Sequence, residues 1–212
     1  MKTILGFGKV LVLASLFSLT GCGTYNRLVT LEQAVNKKWA DVQSVYQRRA
    51  DLIPNLVSTV AGAANFEKST LTEVTNARAS VGQVKLDPSK APTDAAELEK
   101  FQKAQGQLST ALSRLLVVSE NYPQLKATEA FQNLQAQLEG TENRISVERG
   151  KFNEIVQAYN TAVRRFPTNI FAGMFGFQLR PFFSAQPGAE KPPAVKFDFG
   201  NATAAPAPTG TP

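Results

Sequence analysis

The amino-acid sequence predicts an all-α protein: an antiparallel up-and-down bundle of long helices followed by a disordered C-terminal tail. The first observation is a row of large apolar residues at seven-residue intervals, which lies along one side of a helix: Phe131, Leu138, Ile145, Phe152, Tyr159 and Phe166. The second is that no proline interrupts residues 124–166, so nothing breaks this helix. The third is that the rest of the chain carries apolar stripes of helical spacing, joined by short loops and without strand-like alternation.

The N-terminal half is predicted to contain a first amphipathic helix over roughly residues 26–49. Trp39, the only tryptophan, is interpreted as a core anchor, with a partner hot spot as the alternative. Asp51 and Pro54 leave two possibilities, because a proline costs about 3 kcal/mol inside a helix but is tolerated in the first turn. Either Asp51 caps a new helix and the bundle has four helices, or one long helix kinks at Pro54 and the bundle has three. The apolar face then continues to about Gly82.

The middle of the chain is predicted to be a loop followed by a third stripe. Residues 85–93 contain two prolines and read as the loop. Asp94, with Glu97 three residues later, resembles a capping box at the start of the next helix. That helix reaches the tight connection at residues 121–123, which is short enough to require an antiparallel neighbour. The long helix that follows is expected to stop at Pro167.

The N-terminus has the pattern of a secretory signal: two lysines, about ten apolar residues, then Leu-Thr-Gly-Cys ending at Cys22. The apolar run is shorter than the roughly 20 residues that span a bilayer. The Leu-Thr-Gly-Cys sequence resembles the lipobox of bacterial lipoproteins, which implies that Cys22 is acylated and becomes the first residue of the mature chain. The alternative is an uncleaved anchor with an incidental cysteine. Gly23 stands where lipoproteins retained at an inner membrane have aspartate, so the resemblance favours the outer membrane in a double-membraned host.

Beyond Pro167 the sequence becomes rich in aromatic residues and glycine, and then in small residues and proline. The aromatic residues either fold over the end of the bundle or form an exposed apolar surface for a partner or a membrane. The candidate contact residues are Phe171, Phe175, Phe177, Phe182 and Phe183. The predicted divisions are a lipoprotein signal peptide (1–21), the helical bundle (22–167), the aromatic and glycine-rich segment (168–199) and a disordered tail (200–212).

The amino-acid composition excludes several common classes of catalytic site. The chain has no histidine, which removes histidine general-base chemistry, the Ser-His-Asp triad and histidine metal ligands. Its single cysteine allows neither an intramolecular disulfide nor a thiolate cluster. The net charge of +6 is mildly basic and the basic residues form no long run, which argues against nucleic-acid binding. We therefore expect no catalytic residue, no cofactor and no metal site.

Glu148 falls in the second apolar row of the long helix, where a buried carboxylate needs a cation. Arg49 occupies a matching stripe position on the first helix. The hypothesis is a structural ion pair between Arg49 and Glu148 that sets helix register. The alternatives are a solvated Glu148 and a role for it in acid–base catalysis.

Several blocks of the sequence together resemble the LemA family, over roughly residues 24–199. The most specific are Gln-Arg-Arg-x-Asp-Leu-Ile-Pro-Asn-Leu at residues 47–56 and Leu-Glu-Gly-Thr-Glu-Asn-x-Ile at residues 138–145. Shorter matches are Tyr25-Asn26, Trp39, Tyr122-Pro123, Tyr159-Asn160, Phe166-Pro167 and Gly176-Phe177. The resemblance implies an all-α up-and-down bundle tethered to a membrane, and it supplies no catalytic residue and no settled activity. Many members look anchored by a transmembrane helix, whereas this chain has a lipobox.

The function expected from these observations is that of a non-enzymatic, lipid-anchored, periplasm-facing protein that docks another envelope protein. Its partners would be membrane lipid, through acylated Cys22, and an unidentified envelope component. A second possibility is self-association that shapes or spaces a membrane. A third, more remote possibility is a cell-wall enzyme that uses carboxylates.

Overall fold

The computed structural model describes the backbone of residues 2–184 and the side chains of residues 23–184. It contains six helices in this range and no strand: α1 (Lys2–Ala61), α2 (Lys68–Gln83), α3 (Ala95–Ser119), α4 (Pro123–Lys126), α5 (Glu129–Arg164) and α6 (Thr168–Phe175). The all-α prediction is confirmed. The side chain of Cys22, residues 185–199 of the aromatic segment and the predicted disordered tail lie outside the described residues.

The four long helices run alternately up and down. The direction of α5 follows from two contacts with α1. Arg49 of α1 binds Glu142 of α5, and Trp39, ten residues before Arg49, packs on Phe152, ten residues after Glu142. The two helices are therefore antiparallel. Helix α3 runs parallel to α1. Its Phe101 contacts Trp39, and its Ser109, eight residues after Phe101, contacts Arg49, ten residues after Trp39. Helix α2 is antiparallel to α3, because Phe66 before α2 contacts Tyr122 after α3 and Glu73 of α2 pairs with Arg114 of α3. Its Arg78 bonds the Ala50 carbonyl, which places α2 against the far half of α1.

Helix α1 continues through Pro54 without a turn. A proline inside a helix removes the hydrogen bond to the carbonyl four residues earlier, which here belongs to Ala50. In the structure, Nε of Arg78 on α2 donates to that carbonyl at 3.2 Å. The neighbouring helix therefore satisfies the group that the proline leaves free, which explains why α1 can include Pro54.

The first reversal of the chain lies at residues 62–67, between α1 and α2. The last turn closes with Gly62 N–H donating to the Ser58 carbonyl at 3.3 Å, and Asn65 adopts a left-handed φ of 63°. Asparagine tolerates that conformation better than most residues. Neither predicted alternative is correct as stated: residues 2–184 contain four long helices, but the chain turns after Ala61 and not at Pro54.

The other predicted helix ends agree closely with the structure. Asp94 caps α3, with its carboxylate accepting from Ala96 N–H at 2.8 Å. Thr128 caps α5 by accepting from the Phe131 N–H. Helix α5 ends at Arg164, so Phe166, predicted as the last member of the seven-residue row, lies beyond the helix and is exposed. Its place in the apolar stripe was wrong because the helix ends two residues before the last position of the pattern.

The interior of the bundle forms two apolar clusters along its length. The proximal core, at the end nearer residue 23, is built around Trp39, Phe101, Phe152, Tyr159 and Phe183. The distal core, at the α1–α2 turn, is built around Leu56, Phe66, Leu115, Phe131 and Leu138. The Trp39 ring is fully buried, and its Nε1 donates to the Asp87 carbonyl at 3.0 Å. Trp39 is therefore a core anchor, as its first interpretation stated.

Candidate functional site

The buried charge at the centre of the bundle belongs to Arg49. Its guanidinium donates to Glu142 Oε2 at 2.7 Å and to Ser109 Oγ at 2.8 Å. It also donates to the side-chain oxygen of Gln105, and it lies over the Tyr46 ring at 5.3 Å from the centroid. Helices α3 and α5 therefore contribute polar groups to one cationic side chain of α1, between the two cores.

The predicted pairing of Arg49 with Glu148 is wrong, because Arg49 pairs with Glu142. Glu148 lies six residues further along α5, about 9 Å from the level of Arg49 at 1.5 Å per residue. Both residues do take part in ion pairs. Glu148 instead meets Lys151 at 2.7 Å and Lys38 at 3.8 Å.

A surface groove of about 640 Å³ runs between α1 and α5 beside these lysines. Its lining combines acidic, basic and apolar side chains: Asp41, Val45, Arg144, Val147, Glu148 and Lys151. Val147 stands exposed among the charges. A hydrogen bond from Lys38 to Asp41, with further attraction from Glu148, raises the pKa of the Lys38 ammonium. The groove therefore presents fixed charges of both signs around an apolar contact.

The candidate aromatic residues of the C-terminal segment divide into buried, partly buried and exposed groups. Phe171 and Phe183 are buried, with Phe183 stacked near Trp39 and edge-on to Phe152. They cannot belong to an exposed contact surface, so that part of the prediction is wrong: their rings complete the bundle interior. Phe177 is partly buried against the proximal core, whereas Phe175 and Phe182 are exposed.

One end of the bundle gathers several exposed apolar side chains, which we call the α6 pole: Tyr25, Phe166, Ile170, Met174 and Phe175. Helix α6 packs on both α1 and α5 through its buried residues Phe171 and Ala172. The Tyr25 ring makes an edge contact with Phe175 at 5.0 Å and with Phe177 at 5.8 Å. Tyr25 follows Cys22 by three residues, so the α6 pole lies beside the predicted lipidation site.

The segment after α6, residues 177–184, forms an extended strap that returns along α5. Asn153 and Asn160 each hold it with a pair of side-chain bonds to its backbone, at Phe183 and Arg180. The Arg180 side chain is buried, donating to Glu32 at 2.6 Å and to the Ala91 carbonyl at 2.7 Å. Sequence reasoning missed this second buried arginine, because its partners are 148 and 89 residues away along the chain.

Most of the charged groups described above form ion pairs, namely Arg49 with Glu142, Glu148 with Lys151 and Lys38, and Arg180 with Glu32. Among residues 23–184, no group of three or more His, Cys, Asp or Glu side chains is placed to hold a metal ion. Burial raises the pKa of the Tyr46 phenol and, with the nearby Glu32 carboxylate, that of Tyr159. Both phenols therefore stay protonated at neutral pH. The arrangement suits the fixing of helix register and the presentation of a surface.

The lipidation prediction rests on sequence alone, because the Cys22 side chain is outside the described part of the chain. Within the residues described, none of the helices combines the length and apolar character needed to cross a membrane.

Comparison with known proteins gives a family. The model of the LemA family matches residues 38–197, which is most of the chain. The chain belongs to the LemA family. A magnetosome protein MamQ from Paramagnetospirillum magneticum is 25% identical over 187 residues, covering 79% of this chain and 67% of the relative. Protein LemA of Metamycoplasma hominis is 23% identical over 157 residues, covering 74% of this chain and 67% of the relative. The family predicted from the residue blocks is confirmed.

Proposed function

We propose that this LemA-family protein is a non-enzymatic envelope protein, anchored by lipid on Cys22, whose helical bundle docks another envelope protein. The lipobox pattern supports the anchor. Residue 22 is joined to the bundle by continuous α1 helix, so acyl chains there would hold the bundle directly. Two or more chains give stable membrane attachment, whereas one alone is marginal. Gly23 in place of aspartate favours the outer membrane of a double-membraned host.

The ion pairs of these carboxylates support binding over catalysis. Arg49 and Glu142 are bound to each other, and Glu148 is held by two lysines. An acid–base catalyst needs a group free to exchange a proton with substrate. These carboxylates are instead used to join α1 to α5, which favours the docking role over the remote alternative of a carboxylate enzyme.

The observation that carries the docking role is the groove between α1 and α5. Its place between two antiparallel helices suits a third helix from a partner, packed by the helix-in-groove mode. Its charges of both signs suit a partner helix that also carries both, with an apolar residue to cover Val147. The occupant we propose is therefore a charged amphipathic helix of another envelope protein.

The anchor is tested by Cys22→Ala. We expect the variant to lose incorporation of labelled palmitate and to leave the membrane fraction. Continued labelling together with normal processing would exclude lipidation at this residue.

Docking is tested by placing a photoreactive amino acid at position 147 in living cells and identifying what it captures by mass spectrometry. The control position is 117, because Val117 is also exposed but lies on α3, outside the groove. We expect the photoreactive residue at position 147, but not the one at position 117, to capture one dominant foreign envelope protein. The additional substitution Arg144→Glu should abolish this capture. Capture of this chain alone, together with concentration-dependent sedimentation, would replace docking by self-association.

A further inference from the structure

Helix α6 combines apolar composition with exposure. Its eight residues, Thr168–Phe175, carry no charge. Two faces of the helix differ: Phe171 and Ala172 are buried against the bundle, while Ile170 and Met174, four residues apart, are exposed on one side. Phe175 is half exposed, and the neighbouring Phe166 is more so. Such a cluster on a polar bundle marks an interaction surface.

The position of α6 indicates which surface it meets. Tyr25, in ring contact with Phe175, is one helical turn along α1 from Cys22, about 4.5 Å at 1.5 Å per residue. If acyl chains are attached at Cys22, the α6 pole must stand at the lipid surface. No linker separates the two, because residues 22 to 25 belong to one continuous helix.

The two chain segments that form the α6 pole carry charge of one sign. Arg27, Arg164 and Arg165 are exposed beside it. Residues 155–184 contain no aspartate or glutamate, and neither do residues 23–31. Exposed arginines at a membrane-facing surface attract anionic headgroups, while acidic groups would repel them.

We propose that the α6 pole is a membrane-insertion surface, which places Ile170, Met174 and Phe175 in the interface of an anionic bilayer beside acylated Cys22. This inference rests on the proposed lipid anchor and adds a second, protein-borne attachment. The bundle then stands on the membrane at two points, the acyl chains and the apolar side of α6. Interfacial helices bury their apolar face about 5–10 Å into the boundary between headgroups and acyl chains.

The test uses the acylated full chain on vesicles of phosphatidylethanolamine and phosphatidylglycerol whose acyl chains carry bromine, a quencher of tryptophan. Phe175→Trp reports on the α6 pole. Val147→Trp is the matched control, because Val147 is 54% exposed and Phe175 50% exposed. Residue 147 lies seventeen residues before the end of α5, which places it roughly 26 Å along the helix from the end that adjoins the α6 pole. Wild type supplies the background from Trp39, which is fully buried.

We expect bromine to quench the tryptophan at position 175 at least about threefold more than the one at position 147, given interfacial burial of the first alone. Adding Met174→Asp should reduce this quenching, whereas Val117→Asp, at 69% exposure against 67% for Met174, should not. Equal quenching at positions 175 and 147 on vesicle-bound chain would overturn the insertion surface and leave the anchor standing. Failure of the acylated chain to bind vesicles would overturn both. Capture of protein instead of lipid by a photoreactive residue at position 175 in cells would also overturn the insertion surface.

Discussion

The Arg49–Glu142 ion pair gives the sharpest test of the helix register. Removing one partner of a fully buried pair costs about 3–5 kcal/mol, while exposed pairs contribute about 0.2–1 kcal/mol. Here the Arg49 side chain is 2% exposed and that of Glu142 is 52% exposed. A hydrogen bond to a charged group contributes about 1.5–3 kcal/mol, and solvent screening of Glu142 places the expected coupling at about 1.5–2.5 kcal/mol.

The assay is a double-mutant cycle with Arg49→Met and Glu142→Gln, measured as the free energy of unfolding in urea. Fluorescence of the single buried Trp39 and helical circular dichroism provide two independent signals. Glu148→Gln supplies the control cycle with Arg49→Met, because Glu148 lies about 9 Å along α5 from the level of Arg49. We expect that control coupling to stay within about 0.5 kcal/mol of zero. A coupling of Arg49 to Glu148 equal to or larger than its coupling to Glu142 would refute the register.

Three further predictions concern the C-terminal segment and helix α5, on which it packs. Gly176 caps α6 with φ of 76°, so Gly176→Ala should destabilise the fold by about 1 kcal/mol in urea titrations. The control Gly173→Ala lies within the helix and in open space, so it should be neutral or stabilising by up to about 1 kcal/mol. Equal effects of the two substitutions would contradict the role of Gly176 as the cap. Arg180→Met should cost about 3 kcal/mol, since it breaks a buried pair, and should accelerate hydrogen exchange in residues 177–184; unchanged exchange would mean that the strap is held without Arg180. Burial raises the pKa of Tyr159, so the folded chain keeps a proton that the unfolded chain loses above about pH 10. Stability should therefore fall as pH rises through about 10, and Tyr159→Phe should reduce that fall in denaturation curves; an unchanged slope would exclude this phenol as a source.

Elements with strong local signals could be predicted from the sequence. The row from Phe131 to Tyr159 is buried, and Asp94 begins helix α3 as its cap residue. These features depend on side chains a few residues apart. Periodicity and capping chemistry describe such neighbourhoods directly.

Features that depend on distant partners could not be predicted. Pro54 was expected to interrupt the helix because its cost is local, while the compensating donor, Arg78, comes from another helix. The partner of Arg49 was misassigned because a stripe position identifies the face of a helix but not its level along the neighbouring helix. The burial of Phe183 and Arg180 depends on a strap that folds back on α5, and no periodic pattern marks such a strap. Among the candidate contact residues, Phe175 and Phe182 remain exposed, and their role is a prediction.

The continuity of α1 has a mechanical consequence. From Gly23 to Ala61 it comprises 39 residues and rises by roughly 57 Å, with no hinge. A change in the tilt of α1 at residue 22 therefore moves the whole helix as a rigid rod. A tilt of about 10° displaces the Ala61 end of α1 by about 10 Å, close to the diameter of a helix. The Arg78 donor that completes the helix at Pro54 lies near the outer end of this rod. Loss of that donor would introduce a flexible joint and make the orientation of the distal core independent of the angle at which the protein stands.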